Sequence, residues 1–299
     1  MKIITDTSTL YSPVEGKEIN LTVLPLSVTV NGKTYKEYVD IQPNEFIEIV
    51  RQGHVATSSQ PAVGETMEVF ENTDDEMIVI SMADGLSGTY QSAVGAKNSV
   101  DNNERIHVIN TKTLCGPHRY MVNKALKMQK EGATTQQIID EMNHLSENHK
   151  SFLIPSDFDF LSRGGRLTPL AAKIAGLIKI VPVMTQTPDG KRLESAGVKR
   201  TMKKAVEEAI NQFKEMGVNE NYLITISHAG VQEVAEKVRK QVQEAFPQTE
   251  TEIVYLSSAF ITQVGPGCIA IQAFLKYKGL SKVLFLIQTE MAVPLKMQM

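Results

Sequence analysis

Tryptophan is absent from the 299-residue sequence, and aromatic residues make up only 6% of it. The charge is nearly balanced, because 31 Lys and Arg side chains are matched by 34 Asp and Glu side chains, a formal net charge of −3. A surface that follows phosphates and stacks on bases needs clustered positive charge and aromatic rings. The composition therefore argues against nucleic-acid binding.

Cysteine is scarce, and Cys115 and Cys268 lie in neither a CxxC motif nor a His/Cys cluster with metal-ligand spacing. Two cysteines cannot build a disulfide framework, which favours a reducing, cytoplasmic location. The six histidines are also scattered without such spacing. We therefore predict no metal site and no cofactor.

Long apolar runs are missing as well. The first four residues lead directly into the polar segment 6–9, which leaves no apolar region typical of a signal peptide. The most apolar stretch, residues 174–183, is interrupted by Lys179 and Pro182. The sequence predicts neither a secretion signal nor a transmembrane segment.

Strand and helix patterns alternate along the chain. At 299 residues and 42% hydrophobic, the chain exceeds the usual size of a single core, so we expect two domains. The order of patterns in the first half predicts an α/β domain with a mostly parallel, doubly wound sheet and one hairpin at Asn31-Gly32. The predicted strands are 3–4, 23–24, 77–81 and 105–110, and the predicted helices are 43–51, 61–71, 88–97 and 119–130.

The second half begins after a polar helix predicted at 134–149, where residues 151–155 start a new apolar run. We place the domain boundary there, which defines an N-terminal domain at 1–150 and a C-terminal domain at 151–299. A hairpin pattern at Asp189-Gly190 among helices and strands predicts a mixed α+β sheet. The predicted helices are 169–177, 202–216 and 231–246, and the predicted strands are 180–185, 192–195, 222–227, 252–256 and 283–287.

Two hydroxyl-rich loops, each followed by a predicted helix, are candidates for a binding site. Hydroxyls and free backbone N–H groups at helix N-termini bind anions, and the carboxyl ends of parallel strands meet at one crevice. The loops therefore predict a shared anionic ligand, while simple helix capping stays an alternative for the first loop. The positions concerned are Thr57, Ser58 and Ser59 in the first loop and Ser87, Gly88 and Thr89 in the second.

A third segment, residues 260–267, is predicted to be a loop in which Gln263 precedes Gly265-Pro266-Gly267. The amide of a buried glutamine can donate a hydrogen bond to an anion. A purely structural glutamine is the alternative, and the sequence leaves both open.

In these loops the sequence resembles the DegV family, whose best understood members are the fatty-acid-binding subunits of a bacterial fatty-acid kinase. The resemblance extends over almost the whole chain. Its matching segments are Thr5-Asp6-Thr7-Ser8-Thr9, Pro25-Leu26-Ser27, Ser58-Ser59-Gln60-Pro61, Gly85-Leu86-Ser87-Gly88-Thr89-Tyr90, Gly164-Gly165-Arg166-Leu167, Lys199-Arg200-Thr201 and Gly265-Pro266-Gly267.

The resemblance implies a non-catalytic carrier in which one long-chain fatty acid lies between two α/β domains, the second of them lipid-binding. It also implies that a hydroxyl from each of the first two loops binds the carboxylate, and these correspond to Ser58 and Ser87. The family usually adds a histidine where this chain has Gln263. We suspect that the acyl chain packs against Phe158, Phe160, Leu161, Leu170, Ile174 and Leu177.

By the same resemblance, the partner is a fatty-acid kinase catalytic subunit that converts the bound carboxylate to an acyl phosphate. Arg200 falls where the family carries an arginine for kinase contact, and Arg166 lies in a glycine-flanked loop. An always-charged, planar guanidinium suits an acidic or phosphate-bearing partner. Both arginines are therefore expected to form the docking site.

Two other functions stay open. Ser87 lies in a strand-to-helix turn like that of a serine esterase, although Gly85-Leu86-Ser87-Gly88 is not G-x-S-x-G and no base can be assigned to it. Residues 265–270 satisfy the G-x-G-x-x-A pattern of dinucleotide-binding proteins, and Glu290 follows about 20 residues later. Against this, Pro266 removes a backbone donor that the pyrophosphate needs.

Overall fold

The computed structural model describes residues 1–177 and 179–276. Its strands are β1 (Lys2–Asp6), β2 (Leu21–Leu24), β3 (Ser27–Val30), β4 (Lys33–Lys36), β5 (Ala56–Ser59), β6 (Met77–Ser81), β7 (Ile106–Asn110), β8 (His149–Ile154), β9 (Val181–Gln186), β10 (Leu193–Lys199), β11 (Tyr222–His228), β12 (Glu250–Tyr255) and β13 (Ile269–Leu275). Its α-helices are α1 (Pro13–Glu18), α2 (Pro43–Arg51), α3 (Val63–Glu71), α4 (Thr89–Asn98), α5 (Cys115–Lys130), α6 (Thr135–Ser146), α7 (Phe158–Arg163), α8 (Pro169–Ala172), α9 (Met202–Glu215), α10 (Gln232–Ala245) and α11 (Ser258–Val264).

The first sheet is parallel, with its strands in the order β2-β1-β6-β7. Successive residues of a strand point to opposite faces of the sheet. Ile3 accordingly lies in one core cluster with Tyr120 of α5 and Ile138 of α6, whereas Ile4 lies in another with Phe70 of α3. Helices cover both faces, which confirms the predicted doubly wound parallel sheet.

The predicted hairpin forms from β3 and β4, and β5 pairs antiparallel with the other edge of β3. In this three-stranded sheet, Ser58 lies opposite Val28. The predicted loop at 56–61 is therefore wrong for residues 56–59, which form a strand. These polar residues pair their backbone with β3, and α3 begins only at Val63.

The second sheet is mixed, with the order β10-β9-β8-β13-β11-β12 and one parallel pair, β11 with β12. This confirms the predicted mixed sheet, including the hairpin of β9 and β10. Ile269, Ile271 and Ala273 of β13 pack in the core with helices α9 and α10, and the alternate residues Ala270 and Gln272 face away from that core. The second face is thus available to line a site.

Three predictions in this half are wrong. The segment 260–267 is not a single loop, because Ser258–Val264 forms α11, and the apolar run Ile269–Leu275 forms the unpredicted strand β13. The predicted helix 169–177 ends as α8 at Ala172. A short continuous apolar run carries no period that separates strand from helix, and tertiary packing decided these segments. The strand predicted at 283–287 and Glu290 lie outside the described residues.

One apolar cluster joins the two halves of the chain. Val28 of β3 and Phe46 of α2 share it with Leu161 of α7 and Ile261 of α11. The parallel sheet ends along the chain with β7, and the mixed sheet begins with β8. The domain boundary near 150 stays a prediction. Among the residues that are described, no helix combines the length and the apolar character that crossing a bilayer requires.

Candidate functional site

A largely apolar cavity is lined by residues from both halves of the chain. Leu26 and Met82 from the first half line it together with Phe152, Leu161 and Met184 from the second. The space inside it, its open mouth included, is about 970 Å³. Sites for small molecules are mostly apolar with a few polar groups, as this cavity is. Its lining therefore suits a ligand with a hydrocarbon part.

Ser58 is one of the polar groups of this cavity. The residues of β5 alternate, so that Ser58 is half-buried and lines the cavity while its neighbours Thr57 and Ser59 are exposed. The Oγ atom of Ser58 accepts a hydrogen bond of 2.9 Å from Nε2 of Gln263. Because this bond uses Ser58 as the acceptor, its own hydroxyl proton can still be donated to a ligand.

Ser87 lines the same cavity from the turn between β6 and α4. Its Oγ atom accepts a hydrogen bond of 3.2 Å from the backbone N–H of Thr89 and lies 2.8 Å from Oγ1 of Thr89. Ser87 thus bonds to the first residue of α4, whose N-cap is Gly88, and it also lines the cavity. Gly88 packs closely, because a Cβ there would lie 2.9 Å from Oε1 of Gln60.

Gln263 lies on α11 and not in a loop, but it does line the cavity as predicted. Its Nε2 faces Ser58, and its Oε1 packs against Gly164, where an added Cβ would be only 2.5 Å away. A side chain at residue 164 would displace the amide. The Gly164-Gly165 pair in the sequence was the local indication that another group approaches the backbone here.

Arg166 also lines the cavity, beside Ser58 and Gln263. Its Nε donates a hydrogen bond of 3.0 Å to the carbonyl of Leu86, and its Nη1 donates to the carbonyl of Gly164. Burial lowers the pKa of the guanidinium, because it disfavours the charged form. An anionic head group in the cavity would offset that cost.

These contacts link the polar groups into one continuous set. Ser58 contacts Gln263, Gln263 packs on Gly164, and Arg166 connects Gly164 with Leu86, the residue before Ser87. Ser58, Ser87, Gln263 and Arg166 all line this otherwise apolar cavity, and each side chain carries a hydrogen-bond donor.

Other predicted site residues lie elsewhere. Thr57 lines a second chamber that is more polar than the cavity, with Arg163 and again Ser58, Arg166 and Gln263. Ser59 is exposed and does not line the cavity. Thr89 is buried and lines a separate small cavity, and Arg200 is exposed just before α9.

The predicted apolar wall is mostly wrong. Only Leu161 of its six residues lines the cavity, whereas Phe160 lines the polar chamber. Leu170 and Leu177 are 75% and 59% exposed. The helix predicted at 169–177 ends at Ala172, so these side chains do not share a buried face.

The geometry also bears on the two alternative functions, a serine esterase and a dinucleotide-binding protein. The hydrogen-bond partner of Ser87 is Thr89, and His118, which follows a strand as an esterase base would, bonds instead to Ser8 and Thr5. Residues 265–267 follow a helix and precede a strand. A dinucleotide loop follows a strand and opens a helix, so this alternative is contradicted. Within residues 1–177 and 179–276, no three His, Cys, Asp or Glu side chains are grouped to hold a metal ion.

Comparisons with known proteins place these features in a family. The family model described as "Uncharacterised protein, DegV family" matches residues 1–276. A DegV domain-containing protein of Staphylococcus aureus strain N315 is 32% identical over 273 residues, which cover 90% of this chain and 96% of the relative.

Two solved structures are also similar. The structure titled "Fatty Acid Binding of a DegV family Protein from Thermus thermophilus" has a TM-score of 0.82 at 25% identity, and that of "DegV, a fatty acid binding protein from Bacillus subtilis" has 0.79 at 26%. Each alignment covers 92% of this chain and 99% of the other.

Proposed function

The chain belongs to the DegV family, and from this we propose that it binds one long-chain fatty acid in the cavity between its two halves. The observation that carries the proposal is the apolar cavity with one continuous set of donors, Ser58, Gln263, Arg166 and Ser87. The similar Thermus and Bacillus proteins are described as fatty-acid-binding, which supports it.

The two parts of the cavity match the two parts of such a ligand. A carboxylate removed from water needs several donors, because an unpaired buried charge costs many kcal/mol. The acyl chain contributes most of the affinity, since about 0.8 kcal/mol per methylene over about 14 methylenes amounts to about 11 kcal/mol before ordering costs. The head-group donors then set the orientation of the ligand.

Mass spectrometry of the purified, denatured protein tests the ligand. We expect one fatty acid per chain, or stoichiometric binding of added C14 to C18 acids to delipidated protein. Protein that is repeatedly empty and binds none of these acids would refute the proposal.

The head-group assignment is tested by a matched pair of variants on one strand. Ser58→Ala removes a donor to the carboxylate, and hydrogen bonds to charged groups are worth about 1.5–3 kcal/mol, so palmitate affinity should fall about 10- to 100-fold. Ser59→Ala is the control, because Ser59 is exposed on the other side of β5. Ser87→Ala should behave like Ser58→Ala. If Ser58→Ala and Ser87→Ala both bound palmitate as tightly as Ser59→Ala and wild type, neither serine would belong to the site.

We further propose that the protein is a non-catalytic carrier that presents its ligand to a fatty-acid kinase in the cytoplasm. Arg200 is exposed at the start of α9, next to Lys203 and Lys204, where it gains nothing from the helix dipole. The two free, buried thiols are compatible with a reducing compartment.

Arg200→Ala should leave palmitate binding intact and lower acyl-phosphate formation with the cognate kinase and ATP. Lys214→Ala, at the other end of α9, is the control because it is equally exposed but far along the helix. Equal product from both variants would remove Arg200 from the interface. Absence of product with the wild-type protein would argue for storage or transport alone.

A further inference from the structure

Glu37 carries a fully buried carboxylate at the contact between the two halves. It follows β4 in the first half of the chain. Its Oε1 accepts a hydrogen bond from the hydroxyl of Thr7, and its Oε2 accepts one of 2.8 Å from the backbone N–H of Ala259. A buried carboxylate is costly unless such donors satisfy it, so this position has a specific partner requirement.

The second of these bonds is made to the helix that carries Gln263. Ala259 is the second residue of α11, whose Phe260, Gln263 and Val264 all line the cavity. A seven-residue helix is too short to be stable by itself and depends on tertiary contacts. The Glu37 carboxyl oxygen satisfies one of the free N–H groups at its N-terminus.

The first bond connects the same carboxyl group, through Thr7, to a second part of the cavity lining. The Oγ1 atom of Thr7 donates to Glu37 and accepts a hydrogen bond of 2.9 Å from the backbone N–H of Leu26. Leu26 also lines the cavity. One side chain therefore holds two walls of the cavity relative to each other, although it does not line the cavity itself.

We propose that Glu37 is a positioning residue of the fatty-acid site, which holds α11 so that the Gln263 amide stays bonded to Ser58 and the Ser58 hydroxyl points to the carboxylate. This inference depends on the proposed function. It predicts that loss of Glu37 harms recognition of the charged head group more than burial of the acyl chain.

Competition with a fluorescent fatty acid tests this with two ligands, palmitate and hexadecanol. In Glu37→Ala, palmitate affinity should fall about tenfold, as expected for one misplaced bond to a charged group, whereas hexadecanol affinity should change less than about threefold. Glu37→Gln keeps an acceptor for the Ala259 N–H, so it should restore palmitate affinity to within about threefold of wild type.

Thr7→Val tests the same proposal if the Glu37→Ala variant does not fold. It removes only the hydroxyl and leaves the Glu37 carboxyl group bonded to Ala259. It should show a smaller loss of palmitate affinity in the same direction, with an unchanged near-UV circular dichroism spectrum. Parallel loss of both ligands, or unchanged palmitate affinity in folded variants, would overturn the inference. Wild-type protein that binds neither ligand would instead refute the proposed function, and this inference with it.

Discussion

The replacement Glu37→Gln should change how the stability of the ligand-free protein depends on pH. Burial raises the pKa of Glu37 from its ordinary 4.5 to about 7, and the negative charge of Asp6 adds to this. The hydrogen bonds from Thr7 and Ala259 act in the opposite direction. Tyr38 and Cys115 are the other titratable groups that interact with it.

The direction of this pH dependence follows from the protons that the folded and unfolded chains bind. Between pH 4.5 and about 7 the folded protein holds a proton on Glu37 that the unfolded chain has lost. The contribution of Glu37 to the free energy of unfolding is therefore fully present below pH 4.5 and is lost as the pH rises through about 7. A difference of about 2.5 pH units at about 1.4 kcal/mol each amounts to about 3 kcal/mol.

Other groups titrate in the same window, and His149 acts in the opposite direction. Its burial lowers its pKa to about 4, so its contribution is lost as the pH falls from 6.5 towards 4. The wild-type curve alone therefore does not isolate Glu37. The difference in the free energy of unfolding between wild type and Glu37→Gln isolates it, because the contributions of the other groups are the same in both proteins.

Urea unfolding of both proteins at pH 5 and pH 8 measures this difference. Relative to Glu37→Gln, the wild type should be more stable at pH 5 than at pH 8 by about 2 to 3 kcal/mol in the free energy of unfolding, since pH 5 lies just above the range of full stabilisation. Glutamine is the matched replacement, since it has the same shape and its amide does not titrate. A difference that is the same at both pH values, or larger at pH 8, would refute the reasoning.

Three further predictions concern the cavity, a helix and the thiols. Ala270→Leu adds about three methylene-sized groups on the cavity side of β13 and should lower palmitate affinity more than tenfold. Calorimetry measures this affinity, and an unchanged value would mean that the acyl chain lies elsewhere. Thr134→Ala removes half of the capping box of α6 and should lower the urea-derived free energy of unfolding by about 1 kcal/mol. Burial raises the pKa of both Cys115 and Cys268, so a thiol reagent should label the native protein far more slowly than the unfolded chain, and rapid labelling would contradict their burial.

Local patterns determined much of the fold. Strand patterns at the positions of β1, β2, β6 and β7, separated by amphipathic helices, predicted a parallel sheet because a βαβ order leaves little other choice. Asn31-Gly32 predicted the first hairpin for an equally local reason, since Gly32 adopts φ +73°. Ser58, Ser87 and Gln263 were predicted as site residues from the predicted loops and from the family resemblance, and all three line the cavity.

The arrangement of the site depended on the tertiary structure. Ser58 meets Gln263 across 205 residues of sequence, and Glu37 meets Ala259 across 222. No local period encodes such pairs, because they arise when distant strands and helices pack. For the same reason the acyl wall was mispredicted from helix spacing, and Arg166 was expected on a docking surface although it lines the cavity. The sequence by itself determined the parallel sheet and the two hairpins, whereas long-range packing decided β5, α11 and β13 and which side chains face one ligand.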